Sequence, residues 1–231
     1  MPILALACDY DETLAANGQI EQSTVQALVR LKRSGGKLIL VTGRQLGDLL
    51  AVCPEIRLFD SVVAENGAVM YQPSTRRTRP LADKPPESFL TRLRERGVQP
   101  LAAGRSIVAT VQQHYEGVRS TIVEMGLDLE IIFNRESLMI LPSGVNKATG
   151  LSLALEELQV TADNVVGIGD AENDAAFLEM CGFSVAVANA IPSIKEAADM
   201  VTEGNHGAGV VEVINKVIAG DCFRIKAPAP R

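Results

Sequence analysis

The chain has 231 residues, enough for one large domain or for a core with a smaller insert. Hydrophobic residues make up 47% and charged residues 22%, which supplies a buried core and excludes a disordered chain. A formal net charge of -6 and a pI near 5.1 argue against a nucleic-acid partner. Arg76, Arg77 and Arg79, and then Arg92, Arg94 and Arg96, read as solvated faces rather than as a basic stripe. Cys8, Cys53, Cys181 and Cys222 are widely separated and show no C-x-x-C spacing, which fits reduced thiols. The N-terminal apolar run has no basic region and stops at Asp9, so neither a signal peptide nor a membrane span is expected. The expectation is a soluble, cytoplasmic protein.

That first run, Ile3-Leu4-Ala5-Leu6-Ala7-Cys8, predicts a strand buried on both faces of a parallel sheet, ending at Asp9-Tyr10-Asp11-Glu12-Thr13-Leu14. Ser23-Thr24-Val25-Gln26 has the form of a capping box, and Val25, Leu28, Val29 and Leu31 continue at helical spacing to Gly35-Gly36. A second buried strand, 38–41, ends in Thr42-Gly43-Arg44, and a helix over 46–53 is stopped by Pro54. A third strand, 61–64, ends in Glu65-Asn66-Gly67. After Tyr71 the pattern changes, and 72–86 reads as a linker into a mixed α+β unit reaching about Pro142. Its predicted strands lie near 79–81, 98–102, 107–112, 129–133 and 138–141, and its helices near 87–96 and 115–125. The βα alternation then resumes. Lys147 opens a helix, and a strand over 165–168 ends in Gly169-Asp170-Ala171-Glu172-Asn173-Asp174. A helix around 177–180, a strand over 184–188, a short helix over 194–198, an edge strand over 200–202 and a helix over 210–218 follow. The tail from Asp221, with Pro228 and Pro230, reads as mobile.

In a parallel sheet these strand ends share one edge, where ligands of open α/β sheets bind. The edge collects Asp9, Asp11, Thr42, Gly43, Asn66, Asp170, Asn173 and Asp174, and Lys147 can join them. Two carboxylates about 4 Å apart repel by roughly 4 kcal/mol at an effective dielectric near 20. A divalent cation reverses that sign, and hard oxygen ligands suit Mg²⁺. A carboxylate nucleophile, a second carboxyl group, a hydroxyl, a lysine and a distant acidic pair are the set required for phosphoryl transfer through an aspartyl-phosphate.

In these residues the chain resembles the haloacid dehalogenase-like (HAD) phosphatases, in subfamily IIB, which carries a cap between the third strand and the lysine motif. Asp9-Tyr10-Asp11-Glu12-Thr13 is similar to motif one, Thr42-Gly43-Arg44 to motif two, Lys147 to motif three and Gly169–Asp174 to motif four. The likeness runs from Ile3 to about Ile218 and includes Glu65-Asn66-Gly67-Ala68 and Ala188-Asn189-Ala190. It implies a doubly wound parallel α/β core over 1–73 and 143–231, with a small α+β cap over 74–142. It implies Asp9 as nucleophile and Asp11 as general acid and then base. Mg²⁺ would be held by Asp9, the Asp11 carbonyl and Asp170, with Asp174 supporting it through water. Thr42, Lys147 and the Gly43 N–H would bind phosphate, and Asn173 would orient its loop or touch phosphate. The implied partner is a small phosphorylated metabolite, phosphoglycolate first and sugar phosphates next, and a homodimer is left open.

Relatives usually carry glycine where this chain has Glu12, so that side chain either weakens activity or faces solvent, the second being favoured. Arg44 either braces its loop or binds substrate. His206 reads as a loop residue, His114 as a cap residue and Cys8 as strand packing. A phosphosugar mutase and a non-catalytic regulatory module remain as other classes, the latter suggested by Glu12 and the proline-bearing tail. A nucleotide-sugar transferase using Asp-x-Asp would leave Thr42, Lys147 and Asp170 without a role.

Overall fold

The computed structural model describes residues 4–134 and 136–220; Ile3 and the tail from Asp221, with Cys222, Pro228 and Pro230, lie outside the described residues. The strands are β1 (Ala5–Cys8), β2 (Lys37–Val41), β3 (Ser61–Ala64), β4 (Val69–Gln72), β5 (Arg77–Pro80), β6 (Ala102–Ala103), β7 (Val108–Val111), β8 (Leu129–Asn134), β9 (Ser137–Pro142), β10 (Val165–Gly169), β11 (Phe183–Ala186) and β12 (Met200–Val201). Among the described residues, eight of them form one sheet in the order β12-β11-β10-β1-β2-β3-β4-β5, and β6-β7-β9-β8 form another. From β12 to β3 every pairing in the large sheet is parallel, while β4 and β5 add an antiparallel edge. Because β1 is flanked by β2 and β10, the chain winds outward in both directions from it. Loops leaving β1 and β10 therefore diverge and open a crevice at the switch point.

The reason for this order is legible in side chains. All residues of β1, β3, β10 and β11 are buried, as strands covered on both faces require. The covering helices are α1 (Gln22–Arg33), α2 (Leu46–Val52), α5 (Lys147–Leu158), α6 (Ala175–Met180), α7 (Pro192–Ala197) and α8 (His206–Ala219), with α3 (Glu87–Glu95) and α4 (Tyr115–Glu124) on the second sheet. Helix α1 packs on α8 and α5 on α6. Phe89, Leu90, Leu93, Val108, Val118 and Ile140 form a separate apolar cluster within the inserted unit, and Ala68, Ile107, Met139 and Leu141 form a small one at its junction with the core.

Three local expectations are corrected. The Ser23 capping box does not form: α1 starts at Gln22 with Glu21 as N-cap and no side-chain cap bond. Thr24 is buried against α8, and that packing sets the register of the helix. As expected, α2 ends at Val52 with Cys53 as its C-cap, and Pro54 then opens a 3-10 turn, Pro54–Leu58. The strand expected near 79–81 in the insert is β5, the outer strand of the core sheet, so the chain leaves that sheet after Pro80. The strand expected over 98–102 shrinks to Ala102–Ala103, since Pro100 has no N–H to give a ladder and its carbonyl accepts the Thr110 hydroxyl instead.

Candidate active site

Asp9 leaves β1 with its N–H on the Ile168 carbonyl of β10, at 3.0 Å, which fixes it beside the loop that carries Asp170 and Asp174. Carboxylate oxygens of Asp9, Asp170 and Asp174 lie within 4.8 Å of one another, and all three residues are buried. Gly169 makes room for this, because a Cβ there would sit 2.7 Å from the Asp174 side chain. Lys147 enters from the start of α5, where Asn146 caps the helix by accepting the N–H groups of Ala148 and Thr149. Its Nζ donates to Asp9 Oδ1 and Asp174 Oδ1, each at 2.5 Å.

Three buried carboxylates thus cluster with one ammonium, which bonds Asp9 and Asp174. Burial pushes the Asp9 carboxyl well above the ordinary range; Lys147 opposes the shift, and Asp174 and Asp170 add to it. Burial acts against the Lys147 ammonium, but the charges of Asp174 and Asp9 outweigh it and raise its pKa. The cluster therefore has an excess of hard, negative oxygen donors, which is the chemistry that fits a divalent cation. Asp174 is the least available donor: Oδ1 holds Lys147, and Oδ2 accepts the N–H groups of Asp170 and Ala171 at 2.8 and 3.0 Å. Thr13 Oγ1 donates to Asp170 Oδ1 at 2.6 Å.

Asp11 is turned away from this cluster into the grip of Arg44, whose Nε and Nη2 reach Oδ2 and Oδ1 at 2.7 and 2.6 Å. The fork is bidentate, and the guanidinium also lies 5.3 Å from the centre of the Tyr10 ring. Arg44 thus braces the loop that bears Asp11. Thr42 is buried, its Oγ1 accepting the Arg44 N–H at 3.1 Å. Gly43 lines the cleft. Asn173 donates to Asn66 Oδ1 at 3.0 Å, which orients the motif-four loop against the loop after β3. That loop is unusual: Glu65, Asn66 and Gly67 have φ of 53°, 55° and 104° in succession. Only glycine can stand at 67, because a Cβ would lie 1.9 Å from the Asn146 carbonyl oxygen beside Lys147.

Glu12 has φ 60°, the conformation for which glycine is suited. Its carbonyl is pinned by Asn189 Nδ2 at 2.7 Å and by His206 Nδ1 at 2.9 Å. The side chain does not simply face solvent. It lines the cleft, with Oε2 3.6 Å from His206 Nδ1. His206 is also not a loop residue but the first residue of α8, and it reaches motif one. His114 bonds to the backbone of Gln99 and does not line the cleft, and Cys8 is buried in β1. Glu12→Gly should stabilise the fold by about 1 kcal/mol in urea unfolding, since the left-handed backbone is then free of its Cβ penalty. A loss of stability would show that the Glu12 side chain supports the loop.

The cleft has a volume of about 600 Å³. Asp9, Asp11, Glu12, Gly43, Arg44 and Asp170 form its floor, and Asn134, Glu136, Ser137 and Met139, from the β8–β9 hairpin, form its other wall. Sequence reasoning did not find these four; the polar turn between two apolar strands was their only signal. A family model of haloacid dehalogenase-like hydrolases matches residues 6–121 and 129–214. The chain belongs to the haloacid dehalogenase-like hydrolases. This HAD-like hydrolase is 32% identical over 221 residues to a phosphoglycolate phosphatase of Methanothermobacter thermautotrophicus, covering 92% of this chain and 97% of that one. It is 34% identical to phosphoglycolate phosphatase 2 of Saccharolobus solfataricus, covering 94% of each. Among solved structures, a haloacid dehalogenase-like hydrolase of Bacteroides thetaiotaomicron superposes with a TM-score of 0.80 at 21% identity, covering 92% of this chain and 98% of that one. A HAD subclass IIB sugar phosphatase superposes with a TM-score of 0.74 at 19% identity, covering 91% and 97%. Both structures share the fold of this HAD-like hydrolase, insert included.

Proposed function

We propose that this HAD-type phosphatase hydrolyses a small phosphomonoester with Mg²⁺, by passing the phosphoryl group through Asp9. The observation that carries the reading is the buried set Asp9, Asp170, Asp174 and Lys147 at the β1/β10 switch point. Asp9, the Asp11 carbonyl and Asp170 would hold Mg²⁺, with Asp174 behind them. Bound there, it supplies the positive charge that lets an anionic nucleophile approach a phosphate dianion. Lys147, Thr42 and the Gly43 N–H bind the phosphate oxygens, and Asn173 keeps the loop in place.

Asp9 attacks phosphorus, and the ester oxygen leaves with a proton from Asp11, giving the alcohol and an aspartyl-phosphate. Asp11 then takes a proton from water, which attacks the same phosphorus and regenerates Asp9. In the present state both Asp11 oxygens are held by Arg44, so proton transfer requires that grip to open when substrate enters. Phosphoglycolate is the leading substrate, because the phosphoglycolate phosphatases above match this chain almost end to end. Sugar phosphates come next, supported by the shared fold of the sugar phosphatase and by the polar wall of Asn134, Glu136 and Ser137. The buried thiols of Cys8 and Cys53 support a reducing, cytoplasmic setting.

Phosphate release from a panel of small phosphomonoesters, with Mg²⁺ and with chelator, tests the reading. Metal-dependent turnover with phosphoglycolate at the top is expected. Absence of turnover on every ester would favour a regulatory module, and a rephosphorylated product in a bisphosphate-primed assay would indicate a mutase.

A further inference from the structure

Glu65 carries a buried carboxylate that the proposed chemistry does not use. From the end of β3 its side chain, 1% exposed, reaches into the inserted unit, where three successive backbone N–H groups converge on it. Arg105 N–H donates to Oε1 at 3.1 Å, and the Ser106 and Ile107 N–H groups donate to Oε2 at 2.8 and 3.2 Å. Successive N–H groups aimed at one anion make a nest. Here the anion comes from the core and the nest from the β6–β7 turn of the insert. Beside it, Ser106 Oγ donates to the Ala82 carbonyl at 2.7 Å, and Ile107 packs with Ala68, Met139 and Leu141.

On the core side Glu65 is tied to the catalytic loops. Its N–H donates to the Arg44 carbonyl at 2.9 Å, the Asn66 N–H donates to the Thr42 carbonyl at 3.0 Å, and Asn66 Oδ1 accepts from Asn173. Met139, in the same cluster as Ile107, lies against Gly43. We propose that Glu65 is the positioning residue that registers the insert on the catalytic edge: its carboxylate, seated in the 105–107 nest, sets where the Met139 wall stands over Gly43 and so sets affinity for the ester. The kinetic part of this proposal rests on the phosphatase reading; the structural part does not.

The test compares the native chain with Glu65→Gln and Glu65→Gly. Glutamine keeps the volume but turns one acceptor into an N–H₂ donor facing other donors. Glycine suits the φ of 53° and removes the side chain altogether, so it separates loss of the latch from failure to fold. In both variants, amide exchange at Arg105, Ser106 and Ile107 should quicken by about tenfold or more, while β1 and α5 keep their protection. KM for the preferred ester should rise by about fivefold with kcat changed less than about twofold, and competitive inhibition by inorganic phosphate, which meets only the core, should stay constant. Unchanged exchange at 105–107, or a parallel rise in KM and in the phosphate inhibition constant, would overturn the proposal. Should the native chain turn over no ester, the phosphatase reading fails and the exchange measurement alone decides the latch.

Discussion

Asp9→Asn lowers metal-dependent phosphate release by roughly 10⁴-fold or more and abolishes acid-stable labelling of the enzyme by a radiolabelled phosphomonoester. The amide is nearly isosteric with the carboxylate, and it can still accept the Lys147 hydrogen bond at the Oδ1 position. What it lacks is the anionic oxygen that, in the proposed mechanism, forms the bond to phosphorus. Since Asp9 is also one of three carboxylates around the expected cation site, Mg²⁺ affinity should fall as well. The two effects separate experimentally: saturating Mg²⁺ restores binding but not turnover. Equal turnover in the two proteins would remove Asp9 from the chemistry, whatever the metal does.

Lys147→Met destabilises the fold by about 3–5 kcal/mol in the presence of chelator, the usual cost of leaving buried charge without its partner. Both Nζ contacts are short, both acceptors are buried, and methionine keeps the length of the side chain while removing the charge. Mg²⁺ should recover part of that loss, because a cation among Asp9, Asp170 and Asp174 replaces the missing positive charge and binds only the folded state. Urea unfolding with Mg²⁺ and with chelator measures both numbers. A cost below about 1 kcal/mol in chelator would mean that the cluster sheds its excess charge by protonation, the direction in which burial already drives Asp9. Activity should fall in either case, since the phosphate contact proposed for Lys147 is removed.

What could be read from the sequence was what burial writes into it. Strands β1, β2, β3, β10 and β11 are short apolar runs because they are covered on both faces, and each ends in a polar loop because its carboxyl end meets solvent at the edge of the sheet. Asp9, Asp170 and Asp174 followed from those ends, and Lys147 from the helix start that can join them. Strand β5 was expected near 79–81 but assigned to the insert, because Arg77-Thr78-Arg79-Pro80 is mostly exposed and joins the core sheet through its backbone pairing with β4, leaving a composition that reads as linker. The cleft wall of the insert was hidden for a related reason. Strand β8 is partly exposed along nearly its whole length, so no two-residue alternation marks which side chains face Asp9. The reach of Arg44 to Asp11, and of Glu65 to residues 105–107, spans 33 residues in one case and 40 to 42 in the other. No local pattern encodes such pairings.

In the proposed mechanism, the guanidinium of Arg44 also bears on how long a phosphorylated Asp9 would survive. Water attacks an acyl phosphate slowly without a base, and Asp11 cannot serve as one while Arg44 occupies both its oxygens. If the pair re-forms as the first alcohol departs, the lifetime of the phosphoenzyme is set by how often that ion pair opens. Lifetime is what divides a hydrolase from a transferase, since a lingering phosphoenzyme can be captured by a second alcohol. The strength of one surface-accessible arginine–aspartate pair would then tune the partition between water and alcohol as acceptor.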